Sequence, residues 1–416
     1  MYRANFNDLM QVLGPVRAQE LQPFIDQLRG KKFHHITGPN PPTAVIELIA
    51  RWINIGAQLG FTCTWERVWA DKTFEEACDV MSLDSVSPNL AWSKTLEQSY
   101  QEGFEFGQAS LQSSLWGVDA LFIHEVSMLP LVRRRSRAHW VYLSHDYLGH
   151  ASRAFWERFL PDLEQFDATI FPNASFVVSG LPYPQLWQPT VDILSPRNRE
   201  LEQIDSEKLW PLLQLPEKLS YLLYADRHDR LEHAEELLTY YLKHDLGKNL
   251  SLIIALEAGA NSPAAERRAR ALEQISGRDP KVFIRLLPQN EALFNALRRG
   301  SAMQVYWPKQ GRSDLSLIEA LWAGRPVLTL DQLGVRDIVR AGVTALVAKT
   351  PADLLTDALR LQQDDKLARG LVERARMHTL DTALIDQELI NLACLCALRG
   401  GTAETVDWST SVLTTF

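Results

Sequence analysis

Short apolar runs alternate with amphipathic stretches along most of the chain. In the second half this pattern predicts strands at 220–225, 250–256, 282–287 and 302–306, each followed by a helix. The first half repeats the order, with strands predicted at 32–37, 61–69, 120–124, 140–144 and 168–171. Repeated strand–helix order favours parallel sheets covered by helices, so the chain is predicted to be an α/β protein.

A proline-rich, extended stretch over 177–196 separates the two halves, and its composition is typical of a domain boundary. We predict Rossmann-like domains over 1–205 and 206–385. The remainder, 386–416, is predicted to be a helix that packs back on the N-terminal domain, followed by a tail. Two such domains leave a cleft between them, and ligands of this architecture bind there.

The stretch Ser301–Val347 carries the strongest functional pattern. A helix predicted at 315–323 follows a strand, so its N-terminus lies at the carboxyl edge of a parallel sheet. Such helix ends attract anionic ligands. Leu315, Ser316 and Glu319 are therefore expected to meet the polar end of a ligand. A solvated surface side chain is the alternative interpretation of Glu319.

Composition narrows the function classes. The 416 residues fit two domains, and the net charge of −8 gives no support to nucleic-acid binding. The basic run Arg133–Arg135 with Arg137 is more typical of a solvated loop. No apolar run is long enough to span a bilayer, and the N-terminus lacks a signal-peptide pattern. Four cysteines without metal-ligand spacing indicate a reduced, cytoplasmic protein.

Several motifs occur in a fixed order between residues 32 and 390. They are Phe33-His34-His35-Ile36 with Val45-Ile46-Glu47-Leu48, Ile123-His124-Glu125 with Pro130-Leu131, His145-Asp146 with Phe155-Trp156-Glu157, a link from Pro189 to Leu201, and Glu319-Ala320-Leu321-Trp322 with Gly324, Pro326-Val327 and Gly334. In this order they resemble the retaining glycosyltransferases of family 4, and within that family the trehalose synthases. The resemblance implies the GT-B fold, with two Rossmann-like parallel-sheet domains facing across a cleft.

The resemblance also implies roles for single residues. Glu319 would hold the ribose hydroxyls of a nucleotide sugar, and the backbone N–H groups of Leu315 and Ser316 would bind phosphate. Arg227 would clamp the diphosphate. The catalytic candidates are His145, near the sugar C6 hydroxyl or the anomeric carbon, and Glu125, which would orient a sugar hydroxyl. The acceptor is assigned to His124 and Asp146.

Three departures from the family pattern affect the donor site. The Gly-rich loop is replaced by Pro41-Pro42-Thr43-Ala44, and proline has no N–H to donate to an anion. Glu232 stands where the family has a lysine, and Gly311 stands where it has a glutamate. Arg230 and Arg312 lie close to these positions and are candidates for compensating phosphate contacts.

The leading hypothesis is a glycosyltransferase that moves a hexose from a nucleotide sugar to a sugar or other hydroxyl acceptor, with retention implied by the resemblance. No metal and no further cofactor are expected. The partners are then the nucleotide sugar and the carbohydrate acceptor, and a homodimer is left open. Two alternatives stand beside it: a catalytically silent GT-B binding or partner subunit, and a phosphorolytic relative such as a disaccharide phosphorylase.

Overall fold

The structure is a computed structural model that describes residues 5–84, 93–109, 111, 117–202, 207–216, 218–227, 233–244, 250–257, 262–288, 290–307 and 315–398. Within these ranges the chain forms two six-stranded sheets, and every strand pair in both is parallel. The predicted α/β class is therefore confirmed.

The first sheet has the strand order β2-β1-β3-β4-β5-β6 and belongs to the first half of the chain. Its strands are β1 Lys32–Thr37, β2 Thr62–Arg67, β3 Ala120–Ile123, β4 His139–Leu143, β5 Ala168–Phe171 and β6 Pro184–Leu186. The helices that cover it are α1 Phe6–Leu28, α2 Thr43–Leu59, α3 Lys72–Asp84, α4 Lys94–Ala109 and α5 Arg153–Leu163.

The second sheet has the order β12-β11-β10-β7-β8-β9. Its strands are β7 Tyr221–Arg227, β8 Ser251–Glu257, β9 Val282–Leu287, β10 Met303–Tyr306, β11 Val327–Leu330 and β12 Leu346–Ala348. The helices of this half are α6 Ala234–Lys243, α7 Pro263–Ser276, α8 Glu291–Gly300, α9 Leu315–Trp322, α10 Val335–Ile338, α11 Pro351–Gln363 and α12 Asp365–Thr382, and the last helix of the described chain is α13 Ile385–Leu398.

Two local features of the first half have clear causes. The pattern predicts separate helices over 6–13 and 18–28, and α1 is interrupted between them by non-helical backbone at Gly14. Gly14 has φ +79°, a conformation that favours glycine, and Pro15 follows it. Strand β6 was not predicted; it begins with Pro184 at the sheet edge, where a missing N–H is tolerated.

Helix α13 belongs to the core of the first half, although it ends the described chain. Leu389, Leu392 and Leu395 are buried in one cluster with Leu21 and Ile25 of α1. The chain crosses between the halves near Val191 and again near Leu384. These crossings lie side by side, because the N–H of Val191 donates to the Ala383 carbonyl at 2.8 Å. The two halves, here called lobes, are thus joined by two adjacent segments.

All four cysteines are free thiols. No helix within the described ranges combines the length and the apolar character that crossing a bilayer requires.

Candidate active site

A cavity of about 780 Å³ lies between the lobes. Ligand sites typically have about 300–1,000 Å³. Residues of α2, of the segment after β4 and of the link between the lobes form one side, and residues of α8 and α9 form the other. They include Glu47, Trp52, Trp65, His145, Trp187, Arg197, Glu291, Leu315 and Glu319. The cavity therefore brings together predicted site residues from both halves of the sequence.

His145 reaches the cavity from the segment that follows β4. Its Nε2 lies 3.0 Å from Nδ1 of His124, and the two rings are nearly parallel and lie end to end, with an interplanar angle of 8° and centroids 5.3 Å apart. His124 follows β3 and is buried. Its Nε2 lies 2.9 Å from Nδ1 of His35, a fully buried residue of β1. A chain of three imidazoles thus runs from the core of the first lobe to the cavity.

Burial keeps the inner rings of this chain neutral. It lowers the pKa of His35 to about 3, and the neighbouring His34 adds a smaller effect. Burial also lowers the pKa of His124 well below its usual range, assisted by His35 and His145. Without a carboxylate partner, a buried imidazolium has nothing to offset the loss of solvation. Near neutral pH each of these two rings therefore carries one hydrogen and one lone pair.

Glu125 lies beside the cavity and does not line it. One of its carboxylate oxygens accepts a hydrogen bond from the backbone N–H of Gly38. The other oxygen, Oε1, is buried without a hydrogen-bond partner in the described part of the chain. Burial raises the pKa of Glu125 to about 7; the Gly38 contact opposes this, and Asp79 and Asp146 contribute to it. The sugar-orienting role of Glu125 stays a prediction, as does the acceptor role of Asp146.

The pKa of Glu125 predicts how the Glu125→Gln variant responds to pH. From about pH 4.5 to 7 the folded protein keeps a proton that the unfolded chain has lost, so the free energy of unfolding falls as pH rises. The full shift corresponds to at most about 3 kcal/mol. We expect Glu125→Gln to be about 1–3 kcal/mol more stable than wild type at pH 8, with the gain shrinking several-fold at pH 5.

Urea denaturation at both pH values measures this difference. The matched control is Glu157→Gln, which changes an exposed glutamate of α5. It should shift stability equally little at pH 5 and pH 8. A Glu125→Gln protein that is no more stable than wild type at pH 8 would contradict the raised pKa.

Glu319 is buried in α9, with a side chain 5% exposed. Its Oε2 accepts from Nε of Arg197 at 3.1 Å and from Nη1 of Arg298 at 2.9 Å. Its Oε1 accepts from Nδ2 of Asn198 at 3.4 Å. Arg197 also donates through Nη1 to both oxygens of Glu257, each at 3.0 Å. Glu319 lines the cavity as expected, but as a member of a buried network of two carboxylates and two guanidinium groups rather than as a solvated side chain.

Sequence reasoning did not single out Arg197 and Arg298. A usable signal was present for Arg298, which follows Phe294 by four residues on the apolar side of α8. Both guanidinium groups lie over the Phe294 ring, at 4.2 Å for Arg197 and 4.6 Å for Arg298. An arginine on the buried side of a helix requires an acidic partner nearby.

Glu388 of α13 is a second buried carboxylate at the cavity wall. It accepts hydrogen bonds from the guanidinium of Arg51, from Nε1 of Trp52 at 2.7 Å and from the hydroxyl of Thr190. Trp52 in turn lines the cavity and contacts the His35 ring, with centroids 5.0 Å apart. Helix α13 thereby stabilises this wall of the cavity.

Only some of the other residues that were predicted to bind the nucleotide sugar lie within the described residues. Leu315 lines the cavity at the start of α9, and Ser316 beside it is buried. The backbone of Arg227 ends β7 opposite Glu257, and its side chain lies outside the described residues. Outside them too lie Arg230, Glu232, Gly311 and Arg312. The replaced Gly-rich loop leads into α2, whose N-cap is Pro42 and has no side-chain cap.

Within the described residues, no group of three or more histidines, cysteines and acidic residues is arranged to hold a metal ion.

Comparison with known proteins agrees with this geometry. Residues 43–178 match the family model described as "Trehalose synthase, N-terminal domain". The trehalose synthase of Pyrococcus horikoshii is 19% identical over 404 residues, covering 93% of this chain and 94% of the relative. The structure described as "Trehalose-6-phosphate from E. coli bound with UDP-2-fluoro glucose" superposes with a TM-score of 0.67 at 12% identity, over 89% of this chain and 99% of that one.

The chain has the GT-B fold and resembles the trehalose synthases. Both the predicted resemblance and the predicted fold are thereby confirmed, and the protein is an enzyme of the glycosyltransferase type. A more distant relative is the trehalose phosphorylase of Pleurotus pulmonarius, 23% identical over 313 residues, which cover 64% of this chain and 42% of the relative.

Proposed function

We propose that the protein transfers a hexose from a nucleotide sugar to a hydroxyl group of an uncharged sugar or similar acceptor, with retention of configuration. One observation carries this proposal: a single cavity between the lobes is lined both by His145 of the first lobe and by Leu315 and Glu319 of the second. In the transfer, the bond from the anomeric carbon to the diphosphate breaks. A bond from that carbon to the acceptor oxygen forms, and the hydroxyl proton leaves with the diphosphate.

The residues on the two walls suit the charges of this reaction. Positive charge develops on the sugar and negative charge on the leaving diphosphate in the transition state. The N-terminus of α9 would direct backbone N–H groups at the diphosphate. Glu319 would accept hydrogen bonds from the ribose hydroxyls, since each carboxylate oxygen has two lone pairs and the guanidinium contacts concentrate on Oε2.

The ion pairs of the wall support an uncharged acceptor. Of the cavity-lining residues that the structure describes, Arg51 and Arg197 carry positive charge. Arg51 is paired with Glu388, and Arg197 with Glu257 and Glu319. A phosphorylated acceptor would have to compete with these carboxylates. An uncharged sugar would not compete with these carboxylates for the arginines. Its hydroxyl groups can form hydrogen bonds, and its apolar ring face can pack against Trp52, Trp65 and Trp187.

A second candidate function is phosphorolysis of a disaccharide. The similarity to the Pleurotus pulmonarius trehalose phosphorylase favours it. The replaced Gly-rich loop favours it as well, because inorganic phosphate needs fewer N–H contacts than a nucleotide diphosphate does.

A panel of nucleotide sugars tests the proposal. The purified protein is incubated with each donor and with neutral and phosphorylated sugars, and nucleotide release and thermal stabilisation are recorded. We expect release with one donor and a neutral acceptor, and loss of about 10²-fold or more of that rate in His145→Ala. Stabilisation by inorganic phosphate with a disaccharide, and by no nucleotide, would instead establish the phosphorylase. No response to any of these ligands would contradict both and favour a silent binding subunit.

The Glu232→Lys variant tests whether the diphosphate follows the family layout. A carboxylate near a diphosphate repels it, and a lysine attracts it, by up to several kcal/mol at intermediate dielectric. Binding of a nucleoside diphosphate should therefore tighten at least tenfold by isothermal titration. Glu235→Lys, at an exposed position of α6, makes the same charge change three residues further along the sequence and should have little effect. Equal affinities of Glu232→Lys and wild type would show that the diphosphate lies elsewhere.

A further inference from the structure

The three histidines occupy consecutive steps along neighbouring parallel strands. In the β1–β3 pair His35 lies opposite Phe122, and His124 lies two residues further along its strand. In the β3–β4 pair Ile123 lies opposite Tyr142, so His145 is again further along than His124. The rings therefore ascend towards the carboxyl edge of the sheet. His35 lies within β1, His124 directly follows β3 and His145 follows β4 by two residues, so the register of these strands brings the three rings into contact.

Hydrogen bonds between neutral imidazoles have a direction. Each neutral ring has one N–H donor and one lone-pair acceptor. If His35 donates from Nδ1, then His124 accepts at Nε2 and donates from Nδ1, and His145 accepts at Nε2 and carries its hydrogen on Nδ1. If the chain runs the other way, His145 carries its hydrogen on Nε2. One choice at His35 thus determines the tautomers of all three rings.

His35, at the inner end of the row of three imidazoles, decides in which direction the hydrogen bonds run. Nε2 of His35 is buried and has no hydrogen-bond partner in the described residues. In the reversed chain this nitrogen would carry a hydrogen with no acceptor. In the forward chain it is a lone pair without a donor. Orphaned buried N–H groups are rarer in proteins than orphaned acceptors. A 180° turn of the His35 ring would keep its plane parallel to Phe122 but would place a carbon opposite Nε2 of His124 and break the 2.9 Å hydrogen bond.

We propose that His35 and His124 are positioning residues that hold His145 in the tautomer with its hydrogen on Nδ1. His145 then offers a hydrogen-bond donor, and not a base, to an oxygen that meets this nitrogen. Its other nitrogen is already occupied by the hydrogen of His124. This assignment deepens the proposed function and rests on it for its kinetic consequence. An N–H donor at the cavity wall stabilises an oxygen that gains negative charge, such as an oxygen of the leaving diphosphate.

The tautomer is directly measurable. In protein labelled with ¹⁵N-histidine, the nitrogen chemical shifts and the couplings to the ring carbon-bound hydrogens separate Nδ1–H from Nε2–H rings. The signals of His145 are assigned by their absence from the spectrum of His145→Gln. We expect Nδ1–H for His145 at neutral pH in the unliganded wild type. A hydrogen on Nε2 of His145 would overturn the proposal. The tautomer is read from the wild-type protein, and the His145→Gln variant serves only to assign the signals.

Two substitutions of equal size test the role of His124. Asparagine and aspartate both place a polar atom where His124 has Nδ1, but only asparagine can donate from it. His124→Asn should keep His145 as the Nδ1–H tautomer. His124→Asp can only accept there when ionised, so His145 should acquire a hydrogen on Nε2. We expect kcat/KM of His124→Asp to be about 10²-fold below that of His124→Asn, at similar melting temperatures. The same tautomer and the same rate in both variants would refute the positioning role.

The tautomer and the activity also separate this proposal from the proposed function. If His145 is the Nδ1–H tautomer and no nucleotide sugar reacts, the proposed function fails and the histidine chain stands. If transfer proceeds while His145 carries its hydrogen on Nε2, the proposed function stands and the histidine chain is refuted.

Discussion

Glu319→Ala is expected to lower the free energy of unfolding by about 3–5 kcal/mol, because it removes a buried carboxylate that both Arg298 and Arg197 contact. Both guanidinium groups are less than one-tenth exposed, so water cannot replace the lost partner. Binding of a nucleotide sugar should also weaken by about 10²-fold, the cost of losing the charged acceptor of two hydroxyl donors. Urea denaturation measures the first effect and isothermal titration the second.

Glu257→Gln is the control that separates stability from recognition. It weakens the other ion pair of Arg197 and leaves the Glu319 carboxylate in place. It should therefore destabilise the protein but keep most of the affinity for the nucleotide sugar. Wild-type affinity in Glu319→Ala, or an equal loss of affinity in Glu257→Gln, would show that Glu319 is a structural residue and does not bind ribose. Glu319→Gln, which keeps the side-chain volume, provides a milder variant for titration.

Glu388→Ala is also expected to lower the free energy of unfolding by about 3–5 kcal/mol, because it too removes a buried carboxylate from its hydrogen-bond donors. Arg51, Trp52 and Thr190 all donate to this carboxylate, so one substitution leaves three donors without their acceptor. Trp52 contacts the His35 ring, and its displacement should reach the histidine chain. Urea denaturation followed by circular dichroism measures the change in stability.

Glu373→Ala supplies the comparison for this prediction. Glu373 is an exposed residue of α12, and its removal should change stability by no more than about 0.5 kcal/mol. If Glu388→Ala unfolds at the same urea concentration as Glu373→Ala, the contacts of Glu388 contribute nothing to the attachment of α13.

The fold was accessible from the sequence because its determinants are local. The strands over 32–37, 168–171 and 282–287 were predicted with the same bounds as the structure gives, since apolar runs bounded by turn residues depend only on neighbouring positions. Strand β6 was missed for the opposite reason. It has three residues and begins with proline, and it becomes a strand through its pairing with β5.

The site was harder to predict from the sequence, because its contacts join distant parts of the chain. Glu319 was selected from its helix, but its partner Arg197 precedes it by 122 residues. No local pattern indicates that this pair forms. The resemblance supplied His145 and His124 as separate residues. Their connection to His35 follows from strand register, which the pattern of apolar residues does not fix in a sheet that is buried on both faces.

The position of α13 has a consequence for a protein that has been cut. A protease that cleaves the link near Pro189 would break the polypeptide into an N-terminal fragment and a larger C-terminal fragment. The C-terminal fragment would contain Leu389, Leu392 and Leu395. These side chains are interior to the other fragment's fold, against Leu21 and Ile25. The nicked molecule should therefore migrate as one particle in size-exclusion chromatography and come apart only in denaturant.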